Sequence, residues 1–347
     1  METLASEDPG ELRPIADVWR WGFDLENFDP DLHKSFGPYN IDSVGENGEV
    51  NLVVNEYYYG DAPAEPELSV FPGSANTQEL VENGSLVVGS LRDAQPSWHD
   101  TNAEGNRVDV TTTVGELTEM LTFPLVGPWS DPAKRRAVAH CVDPAAVAEA
   151  VSEAAGIDVP AAPLHVLQHD DPLAPRVRDV AEPPLAVDIE AARAAAGMEL
   201  RVAAPYPSKH YKAMIASMQA SCEPAGVRIV DTTGEGKTLA DLPRVYIDAF
   251  GDQVELPGET DALIMATDPM TGYSGVLSKV ENLSVLRAQE NFYAELLPAL
   301  GLTAQPVTFA VDGKVSNVVP YTGLSGIGWN MNRWQLNTPH PTKDAKQ

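Results

Sequence analysis

Apolar positions along the chain change their spacing in blocks. GPYNID, NLVVNEYY and ELSVFPG, between 36 and 92, are short β-prone runs divided by Gly, Asn and Pro, and they predict strands. NTQELVENG reads as one or two helical turns closed by Gly84. Residues 1–35 mix turn formers with Trp19, Trp21, Phe23 and Phe28 and sustain no period, so an irregular lead-in is expected. A polar loop over 94–109 precedes strand-like text over 110–128.

Helical spacing begins at DPAKRRAVAHCVDPAAVAEAVSEAAG. Asp131 caps a first turn that opens on Pro132, Asp143-Pro144 repeats the start signal, and Gly156 closes the second helix. The proline-rich stretch 157–187 has no period and is expected to wrap a surface without building much of a core. DIEAARAAAG is a short helix. ELRVAAPY, SKHYKAMIASMQASCEPAG and VRIVDTT follow as strand, helix and strand, an order that predicts a parallel pair with a right-handed crossover. ALIMATD is a further buried strand, VLRAQENFYAELLPAL a helix ending near Gly301, and 302–335 returns to strand and turn. No internal repeat is evident.

Composition narrows the picture. The 347 residues are 43% hydrophobic, which excludes disorder of the whole chain. The net charge of −28 repels phosphate backbones and anionic lipid, so neither nucleic acid nor a membrane surface is expected as a partner. No window is long and apolar enough to cross a bilayer. Glu2, Glu7 and Asp8 stand where an export signal carries Lys or Arg, so no signal peptide is expected in this chain. Cys141 and Cys222 fall on helices flanking one α/β unit and are either a disulfide or a pair of buried thiols.

Candidate chemistry is sparse. DTTGEGKT at 231–238 ends like a phosphate loop, but Asp231 occupies the place of its first glycine, so a Gly-rich turn is the better reading. His165 and His169 stand four apart beside Asp170 and Asp171; Pro163 and Pro172 bracket them, and a solvated loop is favoured over a metal site. No nucleophile elbow is present, and no cofactor or resident metal is expected.

Several segments, read in order, resemble the family 5 extracellular solute-binding proteins, the peptide and nickel receptors of ABC importers. FGPYNI with NLVVNEYYYG, ELVENGSLVVG, DIEAARAAAGM and LRAQENFYAELLPALGL each look like a family segment. The best match is DPAKRRAVAHCVDPAAV, with Asp131, Arg135, Ala137 and Asp143 in the family's places. The chain closes on WNMNRW, as many members close. The resemblance covers roughly residues 36 to 334 and starts partway along the family pattern, so an N-terminal portion of that pattern is expected to be missing from this sequence. A second departure is a contraction around 239–275, where a ligand-binding loop is reduced to ALIMATDPMTGY.

The resemblance implies an α/β, periplasmic-binding-protein-like two-lobe fold of type II with an incomplete first lobe. Residues 1–110 would be a partial, strand-rich first lobe, 111–275 a second α/β lobe, and 276–347 a late helix and strands returning to the first. It implies a non-enzymatic, lipoprotein-like protein, extracellular or of the cell envelope, that closes on a small, peptide-like solute for an ABC permease. Its candidate ligand-binding residues are Asp268, at the place of the reduced loop, with Met270 and Tyr273 beside it, and Tyr58 of the tyrosine cluster. Strand alternation sends Tyr58 to the face opposite Tyr57 and Tyr59, which places at least one of the three in the core. Two rivals stand beside this reading: a transport-inactive relative that binds a protein partner, and a hydrolase using His165 and His169.

Overall fold

The structure, a computed structural model, describes residues 9–22, 24–30, 33–100, 107–181, 185–248, 250–274 and 283–337. The lead-in is not irregular. Helix α1 (Pro9–Trp21) carries half-buried Leu12 and Ile15 three apart, and Pro9 sits in its first turn, where a missing N–H costs nothing. Strands β1 (Tyr39–Val44), β2 (Val50–Val54) and β3 (Glu67–Val70) form an antiparallel three-stranded sheet. The β1–β2 turn places Gly48 at φ +81°, a conformation that glycine adopts without a side-chain clash.

The tyrosine cluster lies outside this sheet. β2 stops at Val54, and Asn55 builds a turn by donating to the carbonyls of Ser35 (3.0 Å) and Gly37 (2.9 Å) while accepting from Tyr57 N. Strand alternation therefore does not apply to Tyr57, Tyr58 and Tyr59, and none of the three is core. Tyr57 and Tyr59 are exposed and Tyr58 is half-buried against the Tyr59 ring. The buried tyrosine of this three-stranded sheet is Tyr39, whose hydroxyl donates to Glu65 O at 2.9 Å.

A short helix α2 (Thr77–Glu82), capped by Asn76, leads to β4 (Val88–Leu91) and then to the 15-residue β5 (Val108–Thr122). Helices α3 (Pro132–Ala139) and α4 (Pro144–Ala155) start as their sequences dictate, with Asp131 and Asp143 accepting from first-turn amides and Gly156 ending α4 at φ +70°. The one-turn helices α5 (Arg178–Ala181) and α6 (Ile189–Ala192) precede β6 (Glu199–Ala203), α7 (Lys209–Cys222) and β7 (Arg228–Asp231). A projecting hairpin of β8 (Arg244–Ile247) and β9 (Gln253–Leu256) is followed by β10 (Ala262–Thr267), α8 (Leu283–Leu296), β11 (Ala299–Asp312) and a small pair, β12 (Val315–Ser316) and β13 (Gln335–Leu336).

Six strands make the central sheet in the order β4-β11-β5-β10-β6-β7. The pairs β10–β6 and β6–β7 are parallel, and the rest are antiparallel. The long strands β5 and β11 bridge its two ends: their Val108–Val114 and Pro306–Asp312 halves lie with β4, and their other halves lie with β10. Between these halves the register shifts at Ala304/Pro306, where Pro306 supplies no amide donor and Gly115 faces β11. A boundary at 110/111 thus falls inside β5, and β11 returns along the whole length of that strand.

Buried side chains of α3, α4 and α7 cover this sheet, and Cys141, at the α3–α4 corner, is disulfide-bonded to Cys222 at the end of α7. Two expectations fail here. The stretch 157–187 does build a core: Leu164, Val166, Leu167, Ala174, Val177 and Ala181 enclose Leu286 of α8. The late helix stops at Leu296, because Pro298 disfavours the helical conformation at Leu297, which sits at φ +50°, and β11 starts before Gly301. Within the closing Trp-rich text, Ile327–Arg333 is a 3₁₀ segment.

Candidate functional site

A cleft of about 1400 Å³ opens between β3, α2, the end of β4 and the C-terminal 3₁₀ segment, with Tyr206 entering from the β6–α7 turn. Its walls are mixed: the rings of Phe71, Trp98, Tyr206, Trp329 and Trp334 alternate with small and polar groups. The indoles of Trp329 and Trp334 are fixed from behind. Trp329 Nε1 donates to Val319 O at 2.8 Å and Trp334 Nε1 to Asn330 Oδ1 at 3.0 Å, so what they offer the cleft is ring surface. Glu65, 6% exposed, ties the C-terminal segment to this wall by accepting from Leu336 N at 2.7 Å. Burial, with the nearby Glu65 charge, pushes the Tyr39 phenol up to about 12.

One rim is held by charge. The Arg92 guanidinium lies 4.6 Å from the Tyr206 ring centroid and donates to Glu235 at 2.7 Å. That hydrogen bond keeps the Glu235 carboxyl below the usual carboxylate range. Lys209, at the start of α7, donates its amide to Asp93 at 2.7 Å and its ammonium to Gln95 O at 3.2 Å. Residues following β4 are thus tied across the rim to the β6–α7–β7 unit. Tyr206 carries a raised pKa, first from burial and then from Glu119 behind it.

Of the sequence-predicted candidates, Asp268, Met270 and Tyr58 lie elsewhere. Asp268 follows β10, as its position implied, but its carboxylate accepts from Met270 N (3.0 Å) and the Thr271 hydroxyl (3.2 Å), capping the single turn Met270–Ser274. Met270 packs against the Leu286 cluster. Tyr58 stays in its own turn, and the side chain of Tyr273 lies outside the described residues. None of Asp268, Met270 and Tyr58 lines the cleft. Arg92, Trp98 and Tyr206 carried no motif; the available signal was their pairing of charge and aromatic surface on loops leaving strand ends.

Two buried histidines are paired with carboxylates. His165 is fully buried; its Nδ1 lies 2.8 Å from Glu290 Oε1 and its Nε2 2.7 Å from Ala299 O, while Glu290 also accepts from the amides of His165 and Val166. This pair joins the 157–187 segment to α8 and β11, and it presents no open ligating atom. Burial holds the His169 pKa down. Among the described residues no group of three or more His, Cys, Asp or Glu is placed to hold a metal ion.

The other histidine belongs to a serine–histidine–carboxylate series. Ser208 Oγ lies 3.1 Å from His210 Nδ1, and His210 Nε2 lies 3.1 Å from Glu119. The Ser208 oxygen accepts from Tyr211 N and caps α7. Its work is structural. Arg135 is structural too: it donates to the carbonyls of Trp129 (3.0 Å), Ser130 (2.6 Å) and Leu296 (2.6 Å). In the glycine-rich turn, Lys237 bonds Asp241 and Glu259 and leaves no cradle for phosphate.

Comparison with known proteins accords with this architecture. The chain is 25% identical to an uncharacterised lipoprotein of Mycobacterium tuberculosis over 96% of its own length and 64% of that relative's. It is 26% identical to an uncharacterised lipoprotein of Mycobacterium leprae over 96% and 65%. It therefore spans a little under two thirds of the curated relatives it matches. Among solved structures, the oligopeptide-binding protein AppA of Bacillus subtilis, in complex with a nonapeptide, superposes with a TM-score of 0.64 at 13% identity, over 86% of this chain and 66% of that one. AgaA of Agrobacterium tumefaciens, in complex with agropinic acid, gives 0.63 at 15%, over 88% and 67%. The fold is accordingly the periplasmic-binding-protein-like α/β fold. Residues 21–235 match the model for the middle part of the bacterial extracellular solute-binding proteins, family 5. The chain belongs to that family.

Proposed function

We propose that this protein is the solute-binding component of an ABC importer, taking a small solute into the cleft beside Arg92 and Tyr206 and delivering it to a membrane permease at the cell envelope. The observation that supports it most is a family match over residues 21–235, which takes in Phe71, Arg92, Trp98 and Tyr206 of an aromatic-walled cleft of about 1400 Å³. Lipoprotein relatives support an envelope location. The disulfide suits an oxidising compartment.

Binding would proceed by a hinge. The β5/β11 ribbon is the covalent link between the part holding β4 and the part holding β10, β6 and β7, and its register shift is the natural flexing point. Closure would bring the Trp329 side toward the Tyr206 and Glu235 side, to which Arg92, Asp93 and Gln95 are already bonded, and would be stabilised by the further contacts formed in the closed state. No bond-making step is assigned to the protein, since the serine, histidine and carboxylate groups described above are engaged in caps and buried pairs. The reading extends to a peptide-like solute by analogy with AppA, whose bound ligand is a peptide.

A thermal-shift panel of short peptides, amino acids, amines, organic acids and sugars tests it, followed by small-angle scattering with the best hit. A saturable rise in melting temperature with a smaller radius of gyration is expected. A panel with no hit at millimolar solute would refute the reading.

A further inference from the structure

We propose that the cleft selects an organic cation, an amine or quaternary ammonium group carried on an apolar body; the assignment rests on the solute-binding reading and narrows it. Three observations on the cleft converge. Two of the three tryptophans that line it, Trp329 and Trp334, have their N–H groups bonded to the chain itself and offer the cleft ring surface. Rings presented in this way carry a negative face, which attracts cations and gives nothing to anions.

Charge points the same way. Among the described lining residues the carboxylates are Glu67, with Glu65 and Asp93 that accept from the amides of Leu336 and Lys209, and the single basic residue is Arg92. Arg92 is already neutralised by Glu235 and spread over the Tyr206 ring, so an anion would have to displace a bonded carboxylate to reach it. The Arg92 guanidinium on Tyr206 also shows, within the structure, that this wall holds a cation against an aromatic face. A net charge of −28 over the chain adds a long-range field that concentrates cations and depletes anions.

The experiment separates charge from shape on the unmodified protein. Choline is titrated against its dimethylbutanol isostere, in which carbon replaces the ammonium nitrogen, and against dimethylbutanoate, each followed by tryptophan fluorescence and calorimetry. Choline is expected to bind at least about tenfold more tightly than either analogue, the order expected for one or two desolvated cation–aromatic contacts. Trp98→Leu keeps the position apolar and removes the ring; it is expected to weaken choline by a larger factor than the alcohol. Equal or tighter binding of the alcohol or the carboxylate, or no response to choline, overturns the assignment. Saturable binding of an uncharged or anionic solute would do so while leaving the solute-binding reading intact, whereas silence across the wider panel would remove both.

Discussion

Arg92 and Glu235 stand 143 residues apart, and their pairing is the residue-scale event that shapes the cleft rim. The carboxyl is held low by the guanidinium, so its contribution is complete above the ordinary carboxylate pKa of about 4.3 and is lost as pH falls through the lowered value. Wild type and Glu235→Gln should therefore differ in melting temperature at neutral pH and converge under acid. A difference that grew with acidification would contradict the assignment. A second residue-scale prediction concerns the buried pair: Glu290→Ala strands His165 among apolar neighbours and should cost about 3–5 kcal/mol by urea unfolding, whereas an exposed ion pair such as Arg228–Glu199 should cost no more than about 1 kcal/mol.

What the residues made legible follows from how local the physics is. The caps Asp131, Asp143 and Ser208 and the stop at Gly156 are decided within four residues of themselves, and the helices begin and end as their sequences imply. Asp268 was located beyond its strand, yet its role was not readable, because a carboxylate that caps and one that meets a ligand look alike in sequence. Arg92, Trp98 and Tyr206 were not legible as a group, since their meeting depends on strands brought together from segments more than a hundred residues apart.

At the scale of elements, three joints carry the architecture. The disulfide spans a sequence separation of 81 and ties the α3–α4 corner to α7; Cys141→Ala with Cys222→Ala should cost about 4 kcal/mol, the chain-entropy value for a loop of that order, read from denaturant unfolding with and without reductant. The β5/β11 crossing is the second. A Cβ at Gly115 would lie 2.8 Å from Val307 Cγ2 and 2.9 Å from Gln305 O, so Gly115→Ala should prise the ribbon apart, lowering stability by about 1–3 kcal/mol and weakening ligand closure. An unchanged stability would mean that the strands pass each other less closely than described.

The third joint is the 157–187 segment. Its prolines break any period, which hid the apolar set of Leu164, Val166, Leu167 and Val177 that packs under α8. Period-based reading finds cores built by regular elements. It misses those built by a wrapped loop whose burial is set by what lies above it.

On the scale of the whole molecule, a mixed six-stranded sheet, a flanking three-stranded sheet and a short C-terminal segment frame one aromatic cleft. The tryptophans themselves offer the test. Trp98, Trp329 and Trp334 line the cleft, while Trp129 is 1% exposed beneath the sheet with its N–H on Glu199 O. Indole N–H resonances, followed by NMR as a saturating solute from the panel is added, distinguish the two populations directly. The account predicts shifts at Trp98, Trp329 and Trp334 that titrate with one dissociation constant while Trp129 stays still; shifts at Trp129 or the helix tryptophans Trp19 and Trp21 alone, with the cleft indoles unmoved, would contradict it.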